Sequence, residues 1–117
     1  MPGDPASDAT APGGARRSPF SFAAGVLTVA SELDTVSQVA LEEEMTRLAS
    51  PDVPAPVLDL AQISYVPSMH IPGIRLCADA CARSGRQMTI RARRNVRIML
   101  ERMGLGLVAR LLDAERR

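Results

Sequence analysis

Apolar positions along the chain change their spacing several times, and each change marks an element. Residues 1–17 carry no Val, Ile, Leu or aromatic side chain and are rich in Pro, Gly, Ala, Ser and Asp. Such a segment has nothing to bury against its ordering entropy, so it reads as a disordered tail ahead of one domain, residues 18–117. Phe20 and Phe22 flank Ser21 with period two, the pattern of a short strand. Ala23-Ala24-Gly25 reads as a turn. Val26–Ala30, apolar and β-branched, reads as a second strand that can close a hairpin with the first. Asp34 or Thr35 then suits the N-cap of a helix running to about Ala49. On that helix Val36, Val39, Ala40, Met45 and Leu48 form an inward stripe, with Glu42, Glu43, Glu44 and Arg47 opposite. Pro51, Pro54 and Pro56 forbid its continuation.

The second half alternates strand and helix. Val57–Leu60 is a short apolar run between prolines and polar residues, which fits a buried central strand. Ile63, Tyr65 and Val66 follow in a loop. Ile71, Ile74, Ala78, Cys81 and Ala82 recur at helical spacing as far as Ser84, and Gly85 suits a left-handed C-cap. Gln87–Arg91 alternates, with Met88 and Ile90 on one side. Asn95–Met103 is a further helix with Val96, Met99, Leu100 and Met103 inward, ended by Gly104. Leu105, Leu107, Val108, Leu111 and Leu112 read as a last short helix or turn. The order is β-β-α-β-α-β-α-α. It predicts an α/β fold with a mainly parallel sheet of four to five strands covered by helices.

Composition narrows the function classes. The chain has 117 residues, enough for one core, with 46% hydrophobic and 23% charged residues, ordinary globular values. No apolar run is long enough to span a membrane, and residues 1–17 lack the apolar stretch of a secretory signal. A net charge of +1 and 3% aromatic residues argue against general nucleic-acid binding or base stacking. All fourteen basic residues are Arg, a composition typical of a GC-rich genome. Two cysteines are too few for a disulfide framework, so a reduced, cytoplasmic protein is expected. Charge is uneven. Residues 1–66 hold nine acids against three Arg, and residues 67–117 hold eleven Arg against four acids. Solvated helix faces are the ordinary cause of such a split; a partner surface is the other.

Catalysis is hard to assemble from these residues. His70 is the only histidine, and Ser68 lies too close to it in sequence for a nucleophile–base pair. Cys77, Cys81 and His70 would give three metal ligands, but both cysteines fall on the apolar side of their helix, where they act as small hydrophobes. Gly104-Leu105-Gly106 follows a helix rather than a strand and carries no nucleotide signal. The Arg91, Arg93, Arg94, Arg97 run offers a possible anion site or a solvated face. No enzyme activity, cofactor or metal is expected. What remains is the loop Ser64–Pro72, at the carboxyl end of the central strand, where open α/β sheets bind ligands and partners. Its exposed hydroxyl is Ser68, ahead of a helix whose dipole favours added negative charge.

At this point the chain resembles a STAS domain, the domain of anti-sigma-factor antagonists and of sulphate-transporter cytoplasmic tails. The likeness covers about residues 20–112. It rests on the element order, the Ser31-Glu32-Leu33-Asp34 turn where the family has Gly-Glu-Leu-Asp, the Val57–Ser68 segment, the Arg83–Gly85 helix end, and Asn95–Leu105. The family's Asp-Ser-Ser-Gly-Leu motif reads Pro67-Ser68-Met69-His70-Ile71 here, so only Ser68 keeps its identity. It stands where bacterial members are phosphorylated. Pro67 cannot cap, and Pro72 belongs in a first helical turn, which places the helix start near Ile71 and Ser68 in the loop before it. His70 adds bulk where a partner approaches.

The resemblance implies a regulatory binding protein of the anti-sigma-factor-antagonist type. Its partner would be an anti-sigma factor with serine-kinase activity, and phosphorylation at Ser68 would release the complex. The implied docking residues are Glu32, Leu33, Asp34, Thr35, Tyr65, Pro67, Ser68, Met69 and His70. Two alternatives accompany this reading. One is a degenerate STAS domain acting as a constitutive adaptor; the other is a small-ligand or anion-binding STAS domain. The oligomeric state is left open.

Overall fold

The computed structural model describes residues 19–114. The expected tail, residues 1–17, lies outside them. Strands β1 (Phe20–Ala23) and β2 (Val26–Val29) form an antiparallel hairpin, with Phe20 opposite Val29 and Ala23 opposite Val26. Ala24 (φ 54°) and Gly25 (φ 78°) both adopt left-handed backbone, which gives a two-residue turn the twist of its strands. The other strands run parallel: β3 (Val57–Leu60), β4 (Met88–Ala92) and β5 (Ala109–Asp113), in sheet order β1-β2-β3-β4-β5. Helices α1 (Gln38–Leu48), α2 (Ile71–Arg83) and α3 (Arg94–Arg102) form the three crossovers.

Register explains why a single core suffices. Leu27, Leu58 and Ile90 stand side by side in one row, all fully buried. The rows on either side, Val26-Val57-Thr89 and Thr28-Asp59-Arg91, remain half-buried. Strands that advance in one direction with crossovers of one hand place their helices on one face. Here that face packs against Leu41, Met45 and Leu48 of α1, Ile74, Ala78 and Cys81 of α2, and Val96 and Leu100 of α3 in one cluster. Burying Leu-sized side chains is worth about 1.5–3 kcal/mol each, so this row and its helices dominate stability.

The five-stranded, mainly parallel sheet agrees with the expected fold class, and the structure corrects several details. The final element is not a helix. A 3-10 turn, Leu105–Leu107, leads into β5, which pairs with β4 from Met88↔Ala109 to Ala92↔Asp113. The inward stripe of α1 is Leu41, Met45 and Leu48; Val36, Val39 and Ala40 face solvent. The reason lies upstream. Asp34 and Ser37 bond reciprocally, Ser37 N–H to Asp34 Oδ1 and Asp34 N–H to Ser37 Oγ, each at 2.9 Å. This closed turn delays the helix to Gln38, with Ser37 rather than Asp34 or Thr35 as N-cap, and rotates the buried face. On α2, Cys77 is buried and Ala82 exposed. Met103, expected inward, ends α3 exposed.

A half-buried arginine and a buried cysteine carry chemistry of their own. Arg86 follows the left-handed Gly85 and reaches the end of α1. Its Nη1 donates to Ser50 O and Val53 O, and its Nη2 to Ala49 O, all at 2.7 Å. The guanidinium thus caps carbonyls at the negative end of the α1 dipole. Cys77 is free, buried, and 3.4 Å from the Met45 carbonyl oxygen. Burial, reinforced by neighbouring Cys81, pushes its thiol from 9.0 up to about 12. The unfolded thiol ionises first, so its contribution to stability is present below pH 9 and is lost as pH rises from about 9 through about 12. Native protein at pH 8 is therefore expected to resist iodoacetamide at Cys77 for as long as it stays folded, with mass spectrometry showing modification only on adding denaturant. Stoichiometric native labelling would contradict this burial.

Candidate functional site

The three parallel crossovers place the loops after β2, β3 and β4 at one edge of the sheet, outside the strands' carboxyl ends. These loops are bonded to one another. Ser64, in the β3–α2 loop, gives its N–H and its hydroxyl to Glu32 Oε2 at 2.8 and 2.9 Å, which ties that loop to the β2–α1 loop. Its carbonyl accepts from Asn95 Nδ2 at 2.8 Å, which ties it to the first turn of α3. Arg93 Nε donates to Ala61 O at 3.0 Å nearby. Ser64 and Asn95 have no catalytic pattern and no helical periodicity. The sequence carries no signal for their roles, because each bond spans more than thirty residues.

Ser68 opens a 3-10 turn, Ser68–His70, that runs without a break into α2. The helix itself starts at Ile71, as expected, with Pro72 in its first turn. Ser68 is not in an open loop, however: His70 N–H bonds Pro67 O, and Ile71 N–H bonds Ser68 O. Pro67, at ψ 143°, enters the turn in extended geometry and supplies no side-chain cap. Ser68 is exposed, and its hydroxyl has no hydrogen bond among the described residues. A phosphoryl group at that position would sit at the positive end of a helical segment.

The named docking residues divide into two sets. Glu32, Asp34, Thr35, Tyr65, Ser68 and Met69 are exposed, and Pro67 is half-buried. Leu33 and His70 are not available to a partner; Leu33 joins the core, and His70 is only 2% exposed. An apolar Leu between two polar residues turns inward by the ordinary hydrophobic preference. His70 turns inward because the neighbouring loop offers it a carbonyl, Asp34 O, 3.0 Å from Nε2. Val36 and Val39, which the periodicity assigns to the inward stripe of α1, are exposed, and so is Leu76 on α2. A groove of about 570 Å³ lies between α1 and α2, with Glu42, Pro72, Gly73 and Leu76 in its walls.

The arginines of the run are each engaged within the described residues, although Arg91 and Arg97 share the wall of one cavity of about 500 Å³ with Asp113. Arg91 pairs with Asp59 at 3.1 Å, Arg93 turns to Ala61 O, and Arg97 pairs with Glu101 at 2.6 Å. Arg94 is also engaged. Among the described residues no group of three or more His, Cys, Asp or Glu side chains is arranged to hold a metal ion. No helix among the described residues is long and apolar enough to cross a membrane.

The hairpin, the three parallel crossovers and the one-sided helical layer agree with the STAS-like fold that the sequence resemblance implies. The structure is similar to that of an anti-sigma factor antagonist from Mycobacterium paratuberculosis, with TM-score 0.63 and 23% identity over 80% of this chain and 81% of that one. It is also similar to a Thermotoga maritima protein assigned as an anti-sigma factor antagonist, with TM-score 0.65 and 14% identity over 81% of this chain and 85% of that one. The solution structure of the same Thermotoga protein gives TM-score 0.62 and 12% identity over 92% and 90%. At these identities the likeness establishes the fold. No family sequence model matches the chain, and no curated protein sequence does.

Proposed function

We propose that this chain is a regulatory binding protein that engages an anti-sigma factor with serine-kinase activity and is switched by phosphorylation at Ser68. The observation that carries the reading is the setting of Ser68. It is an exposed, unengaged hydroxyl at the start of a helical segment, between an exposed Tyr65 and Met69 and beside the Glu32–Thr35 turn. An apolar, partly acidic surface of this kind suits a partner helix or strand edge, and clusters of exposed large apolar groups mark interaction sites. Phosphate there adds about two negative charges to the centre of the surface. Kinase chemistry, with its nucleotide and magnesium, belongs to the partner. This chain acts by binding, and a bacterial cytoplasm is the compartment that fits.

A constitutive adaptor is the second reading, favoured by Pro67, which cannot cap the Ser68 turn. Anion binding has less support, since the arginines near Asp59 and Ala61 are engaged. Capture on the tagged full chain from its host's lysate, with and without ATP, separates these. Recovery of a serine-kinase anti-sigma factor that ATP diminishes is the expected result. Recovery unaffected by ATP establishes the adaptor instead, and recovery of no such kinase removes the regulatory reading.

A further inference from the structure

His70 is the only buried polar residue among the described ones. Its Nε2 lies 3.0 Å from Asp34 O. A carbonyl oxygen only accepts, so Nε2 carries the ring hydrogen and donates. Nδ1 is buried with no hydrogen-bond partner among the described residues. Hiding such an atom costs free energy that an apolar side chain would not incur. The imidazole is therefore poorly explained as filler and well explained as a cross-link.

The two ends of the cross-link matter. On one side His70 is the last residue of the Ser68 turn, held to it by His70 N–H to Pro67 O and by Ile71 N–H to Ser68 O. On the other side the Asp34 carbonyl accepts a second bond, from Ser37 Oγ at 2.9 Å. Ser37 is the N-cap residue of α1. The route from Ser68 to the start of α1 is thus a tight turn, one ring and one shared carbonyl.

We propose that His70 is a positioning residue that fastens the Ser68 turn to the Glu32–Ser37 segment, so that a charge added at Ser68 is felt at Asp34 and Ser37. The idea rests on the reading of Ser68 as the switch, but its test needs no partner. Ser68→Glu supplies the charge, and 15N–1H NMR of the full chain supplies the readout. In the native background, Ser68→Glu moves the amide resonances of Asp34, Thr35 and Ser37. With His70→Ala those distant shifts fall by about threefold or more while the shifts at Met69 and Ile71 persist. His70→Gln, whose amide nitrogen reaches about as far as Nε2, restores them; His70→Asn, of similar polarity but shorter reach, does not. The Gln and Asn pair keeps the comparison decisive if the alanine variant fails to fold. Equal distant shifts in the native, alanine and asparagine backgrounds overturn the proposal. So does an absence of distant shifts in the native background. If the shifts behave as expected but Ser68 is never phosphorylated by the captured partner, the switch reading fails and the cross-link stands.

Discussion

Ser68→Glu is expected to weaken the complex with the captured anti-sigma factor by roughly 30-fold or more, whereas Ser68→Ala changes it by less than about threefold. The asymmetry follows from what each change does at an interface. Alanine removes a hydroxyl that has no partner within the described residues, so little is lost. Glutamate inserts a charge between Tyr65 and Met69, two exposed side chains that a partner must desolvate. Titration calorimetry with purified partner measures both. The alanine variant should also bind equally well with and without ATP. A complex that tolerates glutamate, or an alanine variant still released by ATP, is incompatible with Ser68 as the switch.

The second large effect concerns stability. Arg86→Ala leaves the carbonyls of Ala49, Ser50 and Val53 without their shared donor. Bonds to charged groups are worth about 1.5–3 kcal/mol each, but water recovers part of that at the half-exposed carbonyls. A loss of about 3 kcal/mol is therefore expected. For a domain of this size it corresponds to a fall in Tm of roughly 10–20 °C. Arg86→Lys should recover only a minor part, because one ammonium cannot reproduce the planar fork that spans three acceptors. Thermal unfolding followed by circular dichroism decides it. A change under about 0.5 kcal/mol would show that the guanidinium bonds do not hold the end of α1.

How much of this was legible in the sequence depends on how local each cause is. The hairpin, β3 and the α2 stripe are written in neighbouring residues: period two around Ser21, prolines ahead of Val57–Leu60 with polar residues after it, and spacing three and four from Ile71. The misread elements have distant or competing causes. Leu105, Leu107, Val108, Leu111 and Leu112 satisfy a helical and an extended pattern equally, and only the open edge of β4 selects the strand. The α1 stripe was displaced because a side-chain turn at Asp34–Ser37 competed with the helix for backbone partners. In the site, the exposed hydroxyl of Ser68 was readable from its loop. The Glu32–Ser64–Asn95 ties and the inward turn of His70 were not, since their partners lie across the sheet's edge rather than along the chain.

The strand order has a consequence for how the molecule assembles. Only the β1–β2 hairpin pairs neighbours in sequence; Val26 must find Val57, Val57 must find Thr89, and Met88 must find Ala109, each across a helix and its loops. Every later pairing loses loop-closure entropy before its contacts form, so refolding is set by topology, on the order of milliseconds to seconds rather than microseconds. Until the last segment docks, β4 offers an unpaired edge flanked by the apolar side chains of Met88 and Ile90. An edge of that kind templates pairing with other chains. A folding intermediate in which β5 has not yet docked therefore exposes that edge to pairing with other chains.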